Sequence, residues 1–140
     1  MVDVVGVCMK HITSEMLKIY KPISNLDWLN YRIVRKKDLT FHHIIKKEYG
    51  GKETIENGAL LLPTPHHYLH VIEYRDIKTY IAINKIFEYI NRQGYEPTQE
   101  QREIIEYLLQ EFEKKHKNDI SSKGKKLIKY EYLQRGMEVK

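Results

Sequence analysis

The sequence predicts an α+β chain, mainly helical, in which a pair of short strands precedes the longest helices. Three observations lead to this class. Two runs rich in aliphatic and β-branched residues, LTFHHII and ENGALLLP, lie on either side of the turn signal Gly50-Gly51. After them, two stretches carry apolar residues at helical spacing. Pro22, Pro63, Gly94 and Pro97 fall between the periodic segments, where helices and strands are expected to stop.

Residues 12–21, ITSEMLKIYK, place Ile12, Met16, Leu17 and Tyr20 on one helical face, and Pro22 ends that helix. SNLDWLNYRIVRKKDL is a connecting stretch with apolar anchors at Leu26, Trp28, Leu29 and Tyr31, followed by the basic run Arg35-Lys36-Lys37. LTFHHII and ENGALLLP are the two strands. A helix is expected to follow, with Thr64 as N-cap and Pro65 at its first position, where a missing N–H costs nothing. Its Tyr68, Leu69 and Ile72 are expected in the core. A break near Asp76 leads into IKTYIAINKIFEYINRQG, with Tyr80, Ile83, Phe87 and Ile90 as its apolar face and Gly94 as its end. TQEQREIIEYLLQEFEKKHK has Thr98 and Gln101 at capping-box spacing and a stripe of Ile104, Ile105, Leu108, Leu109 and Phe112. The division expected is an N-terminal helical and connecting segment (1–37), a strand–strand–helix core (38–75), a helical scaffold (76–118) and a basic tail (119–140).

With 140 residues, 41% hydrophobic and 31% charged, the chain has the composition of one folded domain rather than of a disordered polymer. A formal charge of +5 suits a polyanionic partner without identifying one. The single cysteine, Cys8, excludes an internal disulfide and a cysteine-built zinc knuckle. No apolar run approaches the roughly 20 residues of a membrane span, and the first ten residues read poorly as a signal peptide, so no membrane partner and a cytoplasmic location are expected.

The histidines are the uneven feature. Five of the seven (His42, His43, His66, His67 and His70) fall between positions 42 and 70. His66 and His70 are four apart and share one helix face, so both can reach a single ion. The pair His42-His43 ends the first strand, where successive side chains point to opposite sides. One imidazole from the strand and two from the helix would make a three-histidine metal site with open positions, and the remaining strand histidine would be left as a base.

FHHII, Gly-Gly, ENGALLL and PHHYLH, in that order, resemble the HNH motif of the ββα-metal nucleases, including the nuclease domains of bacteriocins. The resemblance covers about residues 38–73. As in the bacteriocin branch, the asparagine precedes the first helical histidine by nine residues and the second follows four later, matching Asn57, His66 and His70. The resemblance implies His43 as general base, His42, His66 and His70 as metal ligands, and Asn57 as the residue that holds the loop or the His43 ring. His67 is the alternative ligand if the helix starts one residue later. Glu73, one turn past His70, is expected to be solvated rather than to orient a ligand. Lys46, Lys47 and Lys52 flank the site and would contact phosphates without reading sequence. The family's frequent Cys-x-x-Cys pairs are missing, so packing alone must hold the site.

The activity implied is metal-dependent endonuclease cleavage of DNA, and nothing in the sequence rules RNA out. One divalent ion is expected; three imidazoles suit zinc, manganese or nickel better than magnesium. Cutting both strands at one place would call for a homodimer or two visits. Two other readings compete: a non-catalytic nucleic-acid-binding module that keeps only the fold, and a bacteriocin-like toxin nuclease. Stand-alone relatives of this kind suggest a phage or mobile-element setting.

Overall fold

The computed structural model describes residues 4–117, with side chains from His11 onward. Helix α1 spans Val4–Ile19, strand β1 Thr40–His43, strand β2 Gly58–Leu61, and helices α2, α3 and α4 span Pro63–Arg75, Ile77–Gln93 and Gln99–Lys115. The chain is thus α+β and mainly helical, with one two-stranded antiparallel sheet among the described residues. The basic tail lies outside them. None of the described helices is long and apolar enough to cross a membrane.

α1 begins earlier than the periodicity at residues 12–21 suggests, and it buries Met16 against the sheet. The stretch that follows is compact rather than merely connecting. Asn25 and Asn30 sit at positive φ (57° and 69°), a conformation asparagine tolerates better than most side chains. They let the chain turn twice around an isolated bridge between Leu26 and Arg32. Inside the turns, the buried Asp27 carboxylate accepts from the N–H groups of Leu29 and Tyr31 through one oxygen and of Leu62 through the other, each at 2.9 Å. Burial pushes the Asp27 carboxyl up to about 7, against the pull of those three donors and of the Arg102 charge. Arg102 reaches in from α4 to the carbonyl of Asp27 and the side chains of Asn30 and Ser24.

β1 and β2 pair in the register Thr40↔Leu61, Phe41↔Leu60, His42↔Ala59 and His43↔Gly58. Both strands are shorter than the sequence runs; Ile45 lies beyond β1 and is half exposed, and Asn57 closes a 3-10 turn ahead of β2. Gly58 has no room for a side chain: a Cβ would lie 2.4 Å from the Phe41 ring and 2.7 Å from the Met16 sulfur.

The N-terminus of α2 differs from expectation. Leu62, not Thr64, is the N-cap, and Pro63 opens the helix. The physical reason is that Pro63 and Pro65 both lack an N–H, so the first turn has little left to cap. Tyr68, Leu69 and Ile72 are buried, as expected. Asp76 breaks the chain between α2 and α3 and caps α3 by accepting from the Thr79 N–H. α3 buries Tyr80, Ile83, Phe87 and Ile90 and ends at Gly94; α4 starts with the Thr98–Gln101 capping box. On α4, Ile104 is exposed, while Arg102, Ile105, Glu106, Leu109 and Phe112 are buried. Arg102 takes an inward place because loop oxygens satisfy it. Each fully buried Ile or Phe contributes roughly 1.5–3 kcal/mol, and these side chains fix α3 behind the sheet.

Candidate metal centre

β1 delivers His42 to the side of the sheet facing α2 and α3, and α2 delivers His66 and His70 from adjacent turns. One nitrogen from each of the three lies within 4.8 Å of the others, close enough to hold a metal ion. The rings of His42 and His66 are perpendicular with centroids 5.3 Å apart, His42 and His70 lie at 5.8 Å, and His66 and His70 at 5.1 Å. His67 is exposed and outside this cluster.

Each imidazole has one nitrogen tied from behind. Thr40 gives its hydroxyl hydrogen to the Leu61 carbonyl (2.7 Å), so the same oxygen must accept from His66 Nδ1–H, 2.9 Å away. Glu73 Oε1 lies 3.0 Å from His70 Nδ1 and can only accept there. Asn84 Oδ1, on α3, lies 2.9 Å from His42 Nε2. The other nitrogen of each ring has no hydrogen bond among the described residues. Outer partners of this kind fix the tautomer and orientation of ligating histidines and raise their basicity. Burial pushes His42 down to about 3 and His66 to about 4, with neighbouring imidazoles adding to the effect, so both are neutral near pH 7 with a free lone pair. Neutral nitrogen donors without a carboxylate in the cluster suit a borderline transition ion.

His43 points to the opposite side of β1, its ring edge-on to Phe41 at 4.9 Å. Its Nε2 is buried, 4.0 Å from the Glu53 carboxylate, and has no hydrogen-bond partner among the described residues. Burial lowers its affinity for a proton, partly offset by Glu53. It remains near enough to the cluster for a charge on it to be felt at His66.

Asn57 holds the loop, not the His43 ring. Its Oδ1 accepts from Ile45 N–H (2.7 Å), and its Nδ2 donates to the carbonyls of Ile45 (2.9 Å) and Lys52 (3.0 Å). The side-chain amide thus pairs with Ile45 as a neighbouring strand would, just past His43. Gly51 makes this possible, since a Cβ there would lie 1.7 Å from the Ile45 oxygen.

Glu73 is not the solvated residue expected. Besides His70 it pairs with Lys46. Burial raises the Glu73 carboxyl, but Lys46 and His70 outweigh it and hold it below the usual range. Lys46 is correspondingly committed to Glu73 and Glu48 rather than free for a phosphate, whereas Lys47 and Lys52 are exposed.

Sequence reasoning missed Thr40, Glu53, Asn84 and Asn91. Asn91 donates to the carbonyls of Ile55 and Gly58, so Asn84 and Asn91, two turns apart on α3, hold β1 and the entry to β2 respectively. The signal was present: asparagine is a poor helix-interior residue, and two at heptad spacing beside an apolar stripe mark inward polar contacts. Comparison of the chain with protein-family models, curated proteins and solved structures finds no match.

Proposed function

We propose that the protein is a metal-dependent endonuclease that hydrolyses phosphodiester bonds in DNA, with His42, His66 and His70 holding one divalent ion and His43 acting as general base. The observation that carries this reading is the three-imidazole cluster, with the imidazole of His43 outside the cluster but close enough for its charge to be felt at His66. The residue order that resembles the HNH motif supports it.

In this reading His43 keeps Nε2 toward Glu53, leaving Nδ1 to take the proton of an attacking water, and an imidazole is the side chain suited to that near neutral pH. Asn57 sets the course of the backbone just after His43 and so fixes the ring's approach. Lys47 and Lys52 attract the polyanion, giving affinity without base recognition. A divalent ion in the centre would supply Lewis-acid relief of charge on a phosphoryl oxygen. The donor set favours zinc, nickel or manganese over magnesium.

The test is incubation with supercoiled plasmid across zinc, nickel, manganese and magnesium, with EDTA and His43→Ala controls. Metal-dependent nicking that falls at least about 100-fold in His43→Ala, while zinc affinity stays within about threefold, is the expected outcome. Binding of both zinc and DNA without cleavage under any of these ions would overturn the catalytic reading.

A further inference from the structure

We propose that Asn84 makes the centre a mixed one, in which His42 binds its ion through Nδ1 while His66 and His70 bind through Nε2, so that helix α3 is a working part of the metal site. The inference rests on the three histidines binding a metal, not on the nuclease reading.

The argument is one of hydrogen bookkeeping. A neutral imidazole has one N–H and one lone pair, and the nitrogen that donates cannot ligate. His66 must donate from Nδ1, because the Thr40 hydroxyl has already given its hydrogen to Leu61. His70 must donate from Nδ1, because Glu73 is an acceptor and is itself held in place by Lys46. His42 faces the carbonyl oxygen of Asn84 with Nε2, so it donates from there and keeps its lone pair on Nδ1. The His42 ring cannot readily turn over: it is 1% exposed, and the rings of Phe87 and Tyr80 lie 5.8 and 6.3 Å from it.

The arrangement also suits the distances each element must cover. Nδ1 adjoins the carbon that bears the side chain, so a ligand using it meets the ion close to its own backbone. Nε2 lies on the far side of the ring and reaches further. A short strand packed against the site fits the first mode, and a helix leaning over it fits the second. Asn84 is a positioning residue in this scheme: it touches His42, not the ion.

The experiment is long-range 1H–15N correlation NMR of the histidine rings in the 15N-labelled full chain, metal-free and with one equivalent of zinc, together with zinc affinity by chelator competition for Asn84→Leu and Asn84→Asp. Expected are a proton on His42 Nε2 in both states and zinc-induced shifts at His42 Nδ1 and at Nε2 of His66 and His70. Asn84→Leu should weaken zinc binding at least about tenfold, and Asn84→Asp, which still accepts the same hydrogen, should retain it. Zinc bound through His42 Nε2, or an Asn84→Leu variant that binds as tightly as the parent, overturns the assignment alone. No saturable zinc shift at any of the three rings overturns the metal centre and the assignment together. The spectra of the unmodified chain decide the matter even if Asn84→Leu fails to fold.

Discussion

Thr40 Oγ1 and His66 Nδ1 lie 2.9 Å apart, and because the hydroxyl hydrogen is directed to Leu61 at 2.7 Å, the strand dictates the tautomer of a histidine on the helix. Thr40→Val keeps the branched shape and removes that control. We expect zinc affinity to fall about 10-fold or more and stability by about 1 kcal/mol, with Thr40→Ser restoring most of the affinity. Chelator competition and urea unfolding measure the two effects; equal affinity in Thr40→Val would remove the hydroxyl from the account of the site.

Asn57→Ala leaves the Ile45 peptide and the Lys52 carbonyl without their partner and should cost about 1–2 kcal/mol, with faster amide exchange at Ile45. Asn57→Asp should do no better, since a carboxylate can accept from Ile45 but would face two carbonyl oxygens. Unchanged exchange at Ile45 in either variant would contradict the strand-like role of the amide.

Acid should weaken the metal-free protein through His66. Its folded-state affinity for protons is below that of the unfolded chain, so the unfolded state takes up more protons as pH drops below the ordinary histidine value of about 6.5. Stability is therefore fully present above that pH and lost as pH falls toward about 4. Asp27 works in the opposite sense, because its raised carboxyl value favours the folded state most at low pH and that contribution disappears between about pH 4 and 7. Comparing melting temperatures of the protein and of His66→Gln from pH 7 to 4 isolates the imidazole. The parent should lose its advantage, or gain a deficit, as pH falls; parallel curves would refute the shift.

Asp27→Asn should destabilise by about 1–3 kcal/mol, because the amide can still accept from Leu29 and Tyr31 but turns an N–H toward that of Leu62. Leu62 caps the helix that carries two of the three ligands, so zinc affinity should fall with stability. Chemical unfolding and zinc competition on one preparation check both, and loss of stability with full affinity would show that the loop supports the fold but not the site.

What the sequence revealed and what it hid follow from range. His66 and His70 could be placed together because one helical turn separates them, and the Thr98–Gln101 box is local in the same way. Asn84 could not, since its partner lies 42 residues earlier and only the packing of α3 on the sheet joins them. Thr64 has the residue type of an N-cap, but Pro63 and Pro65 remove donors that would need capping, and Leu62 takes the position. Ile104 shares the helical spacing of the apolar stripe yet is exposed, while Arg102 occupies the interior because the loop around Asp27 supplies the oxygens that satisfy it. From local sequence Glu73 reads as solvated, because Lys46, which holds it, comes from a loop whose course depends on Asn57.

The aromatic packing behind the sheet gives the molecule an internal reporter. Trp28 is the chain's one tryptophan; it packs edge-on against Phe87, and Phe87 packs edge-on against His42. Indole emission therefore originates two ring contacts from the candidate ligands. Nickel or another paramagnetic ion entering the centre should quench that emission by energy transfer, whereas zinc should alter it only through small changes in packing. Occupancy could then be followed by intrinsic fluorescence, without a label or a substrate.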